Sequence, residues 1–193
     1  MKPILFVTGN QHKCEEASRA LAEYGITLKM ANCEKVEIQS DSLGEIALYA
    51  ANWAAMKLGT AVLVEDSGLF IKSLGGFPGP FSSYAHKTIG CGGILSLMSG
   101  ESDRKAFFEA AVAYVAPNAK PQIFTGLIDG EIARSVRGSQ GFGFDPIFEP
   151  DGYGGKTFAE ISLLEKTSLS HRGKAFRCFG KWYSECLKST TLK

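Results

Sequence analysis

The segment ILFVTGNQHK, residues 4–13, joins an apolar run to a polar stretch that continues with a helical pattern. Ile4–Val7 has the length and side chains of a buried strand, and the Thr-Gly-Asn that follows interrupts it. Small and apolar side chains then recur every three or four residues over positions 11–23, which predicts a helix. Backbone N–H groups and the positive end of the helix dipole meet at such a start, so the turn suits a phosphate. The alternative is that Thr8 or Asn10 only caps the helix.

Composition limits the classes of protein to which the chain could belong. It has 193 residues and a formal net charge of +1, which does not favour nucleic-acid binding. No apolar run is long enough to span a bilayer, and the N-terminus lacks a basic-then-apolar signal pattern. Five cysteines without a CxxC pair, and three histidines, make a disulfide framework or a zinc site unexpected. We expect a single cytoplasmic domain, residues 1–193, with reduced thiols.

The first half of the chain predicts strands alternating with helices. A second strand is expected at residues 27–30, and residues 36–38 could extend it. Asp41 or Ser42 is expected to cap a second helix. The apolar run at 61–64 predicts a strand that ends abruptly at Glu65-Asp66-Ser67-Gly68.

The second half predicts mainly strands. Residues 75–83 are too rich in glycine and proline for a regular element, and a helix is expected near residues 93–98. An antiparallel meander follows, with a hairpin turn at Asp129-Gly130, and Ser170 caps a last helix. The segments assigned to the meander are 106–116, 122–130 and 131–138, and the last helix is assigned to residues 171–187. The expected fold class is α/β with a mixed sheet.

Adjacent carboxylates at Glu65 and Asp66 form one candidate site. Ligand sites of α/β sheets lie at strand ends, and two neighbouring acids repel each other unless a cation or proton lies between them. Mg²⁺ suits this position because it takes one or two carboxylates, waters and substrate phosphate oxygens. Glu37, in another β-like stretch, could supply a second carboxylate. The alternative is a solvated Asp-Ser-Gly turn.

Two further segments carry candidate binding residues. In QGFGFDP, residues 140–146, glycines surround two phenylalanines, which could either hold a flat ligand or form a buried plug. In EKTSLSHRGKAF, His171 and Arg172 fall in the first turn of the last helix, where cations oppose the dipole and need an anionic or electron-rich partner. Pairing with surface acids is the alternative. The run GYGGKT, residues 152–157, is not a P-loop because Pro150 stands where that motif needs glycine.

Taken together, these segments resemble the non-canonical purine NTP pyrophosphatase family, of the inosine triphosphate pyrophosphatase type, and archaeal members in particular. The resemblance covers nearly the whole chain. It implies a long mixed sheet flanked by helices in two lobes, with a nucleotide cleft between them. It also implies Mg²⁺-dependent hydrolysis of ITP, dITP and XTP to the monophosphate and pyrophosphate by a cytosolic homodimer. The motifs that carry it are TGNQHK, VEDSGLF, GGFPGPFSSY, GFGFDPIF, KTFAEIS and EKTSLSHRGKA.

The resemblance also implies roles for individual residues. Asp66 corresponds to the general base and, with Glu37, to the metal ligands, and Ser67 lies beside them. The substrate contacts fall on two sets of residues. The residues that correspond to the phosphate contacts are Thr8, Gly9, Asn10, Gln11, His12 and Lys13. Those that correspond to the base pocket are Phe142, Gly143, Phe144, Asp145, Lys166, His171 and Arg172. One departure concerns the second helix, where many members have a phosphate-side lysine and this chain has Ala50. Lys57 lies two turns further along and would not replace it.

Two other functions stay open on the sequence. A related pyrophosphatase could act on other modified triphosphates, such as pyrimidines, although a His-Arg pair favours the oxo edge of a purine. A nucleotide sensor or RNA-binding module could use the same cleft without turnover, although the near-neutral charge counts against RNA.

Overall fold

The computed structural model describes residues 2–33, 36 and 38–191, and among them seven strands form one mixed sheet. The strand order is β2-β1-β3-β5-β6-β7, and β4 pairs with the end of β3. The strands are β1 (Ile4–Val7), β2 (Leu28–Ala31), β3 (Val62–Ile71), β4 (Pro78–Gly79), β5 (Lys105–Val115), β6 (Gln122–Ile132) and β7 (Phe148–Pro150). The helices are α1 (Gln11–Ala22), α2 (Leu43–Leu58), α3 (Ser82–Thr88), α4 (Gly90–Leu97), α5 (Leu163–Leu169) and α6 (His171–Thr191). The predicted α/β class with a long mixed sheet is confirmed.

Parallel pairing at the N-terminal end of the sheet agrees with the predicted alternation of strands and helices. Strand β1 pairs in parallel with both β2 and β3, and helices α1 and α2 make the connections. Asn10 caps α1 and Ser42 caps α2, so of the two residues expected to cap the second helix it is Ser42 that does so. The proposed extension of the second strand includes residue 37, which lies outside the described residues.

The sequence predicted that the third strand ends at its acidic residues, but β3 continues past them. It runs through Glu65 and Asp66 as far as Ile71, because β5 pairs antiparallel along its full length. The register places Asp66 opposite Ala111, so the backbone of the acidic residues belongs to the ladder. The carboxylates therefore project from the middle of a strand, and alternate side chains face opposite sides of the sheet.

The expected hairpin turn at Asp129-Gly130 is wrong, because both residues lie inside β6 and pair with β5, and Gly130 also pairs with β7. The reversal between β5 and β6 lies in residues 116–121, where Asn118 has a positive φ of 61°. Residues 133–138 do not form the third strand of the meander. A short strand, β7, takes that place instead.

Three short helices differ from the expectations. Helix α3 begins inside the segment expected to be a loop, and α4 begins at Gly90 rather than near residue 93. Helix α5 was not expected, although Ser162 and Glu165 form a capping box at its start. Its C-cap residue is Ser170, whose hydroxyl also accepts from the Gly173 N–H at the start of α6. Lys166 consequently lies within α5, not just before a helix.

Separate apolar cores lie on the two faces of the sheet and at its far end. Alternate residues of β3 divide between the faces, with Leu63 packing under α1 and α6, and Val62 and Val64 packing under α2. A third core surrounds Phe108 and Phe148 at the β6–β7 end. No helix in the part of the chain that the structure describes is long and apolar enough to cross a membrane.

The start of α6 rests on Gly126 of β6, and we expect Gly126→Ala to destabilise the protein. A Cβ at this position would collide with the carbonyl of His171 and would lie 2.6 Å from the Ala175 nitrogen. Overpacking of this kind costs about 1–3 kcal/mol, which denaturant unfolding would measure. The matched control is Gly92→Ala in α4, where a Cβ meets nothing within 4 Å and should be neutral or slightly stabilising. Equal stabilities of the two variants would contradict this close approach.

Candidate active site

A cleft of about 760 Å³ opens between the β1–α1 turn, the middle of β3 and the start of α6. That volume lies within the usual range for small-molecule sites. Twelve of the sixteen predicted site residues border the cleft, whereas Gln11, His12 and Lys166 are not among its lining residues and Glu37 lies outside the described residues. The twelve are Thr8, Gly9, Asn10, Lys13, Asp66, Ser67, Phe142, Gly143, Phe144, Asp145, His171 and Arg172. Most of the predicted residues are therefore brought to one place.

The turn between β1 and α1 forms one end of the cleft. The Asn10 side chain accepts from the Lys13 backbone N–H at 3.3 Å, and the Asn10 N–H donates to the Thr8 hydroxyl at 3.1 Å. Asn10 is therefore a helix cap, and the same turn also lines the cleft with the start of a twelve-residue helix. The two interpretations of this segment are compatible, because a capped helix start still presents N–H groups to an anion.

Two of the predicted phosphate-side residues point elsewhere. Gln11 is exposed, and its amide donates to Glu15 one turn further along α1 at 3.2 Å. The His12 ring stacks on Phe142 with ring centroids 5.5 Å apart. Neither borders the cleft, and His12 instead contacts the loop of residues 140–146, which we call the aromatic loop.

The two acidic residues of β3 have different surroundings. Glu65 and Ser67 share one face of the strand, and both accept from Arg172, with the Ser67 hydroxyl 3.0 Å from Nη2. Asp66 alternates to the other face and borders the cleft. The cations beside Glu65 belong to the protein itself, since Lys13 Nζ lies 2.7 Å from its Oε2. The pair is therefore not a two-carboxylate metal site.

A buried group of charges, which we call the charge cluster, lies below the cleft. It consists of Glu16, Glu65, Asp145, Lys13, Lys166 and Arg172. Lys166 Nζ lies 2.7 Å from Glu16 Oε1 and 2.6 Å from Asp145 Oδ2. Arg172 Nη1 lies 2.8 Å from Glu16 Oε2. The six charges balance and tie α1, β3, α5, α6 and the aromatic loop together.

Burial and the neighbouring positive charges have opposite effects on the pKa values of the carboxyl groups in this cluster. Burial by itself raises the pKa of Glu65, but the charges of Arg172 and Lys13 outweigh it and hold that pKa below its ordinary value. The pKa of Glu16 is lowered in the same way, against burial, by Arg172 and Lys166. Burial raises the pKa of Asp145, and Lys166 only partly opposes this. Glu16 and Glu65 are therefore ionised at neutral pH.

The aromatic loop both fills the core and borders the cleft. Phe144 is buried, with its ring centroid 5.2 Å from that of His86. Of the two phenylalanines, it is the one that forms a buried plug. Phe142 is half-buried between Gly141 and Gly143, whose φ angles are 75° and 65°. Its ring lies 4.9 Å from Lys166 Nζ and 5.3 Å from Arg172 Cζ, and its N–H donates to Asp145. The cations beneath it hold one ring face in place.

His171 has the environment of a neutral hydrogen-bonding group. It is 3% exposed and stacks on Phe108 with the ring centroids 4.7 Å apart. Burial, together with the charges of Arg172 and Lys166, holds its pKa well below the ordinary value. Its Nδ1 is buried and has no hydrogen-bond partner among the residues that the structure describes. The alternative that Arg172 pairs with surface acids is wrong, because Glu16 and Glu65 are both buried.

Helix α3 supplies one wall of the cleft, which the sequence did not indicate. Ser83, His86 and Lys87 border the cleft, and the Ser82 hydroxyl anchors the helix by accepting from the Leu69 N–H at 2.8 Å. The spacing of Ser83 and Lys87, one helical turn apart, would have indicated a shared face had the helix been expected. Lys87 has no carboxylate partner in the described part of the chain.

The second helix contributes no cation to this cleft. Ala50 is buried against the sheet, and Lys57 lies over the Trp53 ring at 4.7 Å, outside the cleft. Glu37, the predicted second metal ligand, lies outside the described residues, although Ile38, Gln39 and Ser40 border the cleft. Within the described ranges, no three acidic, histidine or cysteine side chains are grouped as a ready-made metal site.

Comparison with known proteins agrees with the resemblance seen in the sequence. The model of the Ham1 family matches residues 4–182. A protein of Methanopyrus kandleri named dITP/XTP pyrophosphatase is 52% identical over 93% of this chain and 95% of its own length. A protein of the same name from Thermococcus kodakarensis is 46% identical over 96% of this chain and 99% of its own.

Solved structures have the same fold. The HAM1 protein of Coxiella burnetii superimposes with a TM-score of 0.84 at 32% identity, covering 96% of this chain and all of that one. The Ham1 protein of Staphylococcus aureus has a TM-score of 0.82 at 28% identity, covering 95% of this chain and 99% of its own. The predicted family is confirmed.

Proposed function

The chain belongs to the Ham1 family, and on that premise we propose that it is a nucleotide-sanitising hydrolase. It converts ITP, dITP and XTP to the nucleoside monophosphate and pyrophosphate. One observation carries this proposal: a single cleft is bordered both by a helix start with Lys13 and Asp66, which we assign as its phosphate end, and by Phe142 and His171, which we assign as its base end. The first end suits a polyphosphate and the second suits a flat, hydrogen-bonding base. The predicted homodimer and cytoplasmic location stay predictions.

At the phosphate end, the proposed reaction needs an attacking water, a base and stabilisation of the leaving pyrophosphate. Asp66 is the proposed base, accepting a proton from the water at its carboxylate. Lys13 and the first N–H groups of α1 hold the negative charge that develops on the leaving group. Thr8 and Asn10 keep that turn in place through the hydrogen bonds that cap α1.

The residues of the cleft fit a Mg²⁺ ion that arrives with the substrate. Mg²⁺ needs only one or two carboxylates when phosphate oxygens and waters complete its shell, and Asp66 supplies one. Glu37 is the proposed second ligand. When bound, the ion would offset the charge of the phosphates.

At the base end, hypoxanthine and xanthine present an O6 acceptor where adenine presents an N6 donor. A neutral His171 has one N–H donor and one acceptor nitrogen, and Arg172 adds the Nη1 N–H that Glu16, Glu65 and Ser67 do not use. Donors that meet adenine's amino group are left unpaired, which can discriminate by up to about 10⁴-fold. Phe142 provides the stacking surface, and Lys166 supports its ring from beneath.

The experiment that tests this function is product analysis. Purified protein with Mg²⁺ is incubated separately with ITP, XTP, GTP and ATP, and both pyrophosphate and orthophosphate are measured. Pyrophosphate from ITP and XTP, with little from ATP or GTP, is the expected result. Orthophosphate would contradict cleavage between the α- and β-phosphates. Binding without turnover would favour a nucleotide sensor, and turnover of modified pyrimidine triphosphates would favour a different target.

Lys87 is the proposed second phosphate-binding cation, in place of the lysine that is absent at Ala50. We expect Lys87→Met to raise KM for ITP about tenfold and to change kcat little, because a charged hydrogen bond to substrate is lost. Steady-state kinetics at fixed Mg²⁺ would measure this. The matched control is Lys57→Met, the same change outside the cleft, which should leave KM unchanged. Equal KM values for the two variants would contradict a role for Lys87.

A further inference from the structure

Glu65 lies between the two ends of the cleft and contacts a cation at each. Its Oε2 is 2.7 Å from Lys13 Nζ, at the phosphate end. Its Oε1 is 3.1 Å from Arg172 Nε and 3.0 Å from Nη2, at the base end. The residue is 3% exposed, so these contacts are made with little competition from water.

At the phosphate end, Glu65 competes with the substrate. Lys13 borders the cleft and its side chain is 18% exposed, so the ammonium can reach an incoming anion. Glu65 pairs with that same ammonium. A polyphosphate must therefore share Lys13 with a buried negative charge, which weakens its binding.

At the base end, Glu65 has the opposite effect. It holds two of the three guanidinium nitrogens of Arg172, while Glu16 holds the third. Together with the Ser67 hydroxyl, these two carboxylates determine the plane of the guanidinium, whose Cζ lies 5.3 Å from the centre of the Phe142 ring. Without the Glu65 charge, only Glu16 and the Ser67 hydroxyl hold the group at full strength, so it is less tightly fixed and discrimination by fixed donors falls.

We propose that Glu65 is a positioning residue that fixes Arg172 for selection of the base while it restrains Lys13 at the phosphate end. Only the part of this proposal that concerns selection of the base rests on the proposed function. The carboxylate thus weakens binding of the polyphosphate and sharpens discrimination between bases. Loss of a purely structural carboxylate would weaken polyphosphate binding and base discrimination together. Loss of the proposed positioning carboxylate strengthens the first and weakens the second, which distinguishes the two roles.

The first arm of the test measures binding of inorganic tripolyphosphate by calorimetry. Glu65→Gln keeps the shape of the side chain and removes its charge, so we expect binding about tenfold tighter than in the wild type. The matched control is Glu16→Gln, which removes a carboxylate that contacts Arg172 and Lys166 but not Lys13. It should leave tripolyphosphate binding unchanged. Unchanged or weaker binding in Glu65→Gln would overturn the proposal.

The second arm measures kcat/KM for ITP and for ATP. We expect Glu65→Gln to lower the ratio of ITP to ATP by about tenfold, since a neutral amide oxygen holds the Arg172 guanidinium more weakly than a carboxylate does. Glu65→Asp keeps the charge and should recover part of the ratio. An unchanged ratio in Glu65→Gln would also overturn the proposal.

A further variant keeps the proposal testable if Glu65→Gln does not fold. Lys13→Met combined with Glu65→Gln removes one charge of each sign, so the charge cluster stays balanced. Its ratio of ITP to ATP should lie about tenfold below that of Lys13→Met alone, and equal ratios would overturn the proposal. A wild type that turns over no triphosphate would refute the proposed function, while the tripolyphosphate arm would still decide the role of Glu65.

Discussion

Asp66→Asn is expected to lower kcat for ITP by about 10²–10⁴-fold, the range typical of a lost general base. Asparagine has almost the same shape, but its amide cannot accept the proton of the attacking water. Asp66 projects from the middle of β3, whose backbone pairs with β5 before, at and after this position, so the strand itself should not move. The measurement is single-turnover and steady-state kinetics at saturating Mg²⁺, with thermal unfolding as the check on folding.

The control for this variant is Asp129→Asn. Asp129 is exposed on β6 and does not border the cleft, so the same chemical change should leave kcat unchanged. Near-normal turnover by a folded Asp66→Asn protein would remove Asp66 from its proposed role.

Arg172→Ala is expected to have the largest effect on stability, at about 3–5 kcal/mol of unfolding free energy. The substitution leaves Glu16 and Glu65 buried with one cation fewer, and it removes one of the largest fully buried side chains. Denaturant unfolding would measure the loss. Arg19→Ala, an exposed arginine on α1, is the control and should cost only a few tenths of a kcal/mol.

Arg172→Lys separates this structural effect from selection of the base. It keeps a positive charge beside the two acids but loses the planar guanidinium. We expect the protein to fold and kcat/KM for ITP to fall more than that for ATP. Equal losses for the two substrates would contradict a role of Arg172 in discriminating bases, and an unchanged stability of Arg172→Ala would contradict the importance of the buried pairs.

Local patterns in the sequence predicted those parts of the site that depend on neighbouring residues. The strand–turn–helix start at residues 4–13, the Ser42 cap and the glycine-flanked Phe142 follow from short-range backbone and hydrogen-bonding preferences. The segments TGNQHK, VEDSGLF and GFGFDPIF carried motifs from which the family was identified. The length of β3 was not predictable in this way, because glycine and acidic residues disfavour strands until a long partner such as β5 supplies the pairing.

The sequence by itself determined the α/β class, the order of the first strands and helices, the family, and twelve of the residues that border the cleft. Only the tertiary structure decided which charges pair: Glu16 is 156 positions from Arg172, and Glu65 is 107. It also decided that Lys87 of α3 borders the cleft. The physical reason is that burial makes a charge depend on whichever opposite charge the fold brings within about 3 Å, and no local pattern records that distance.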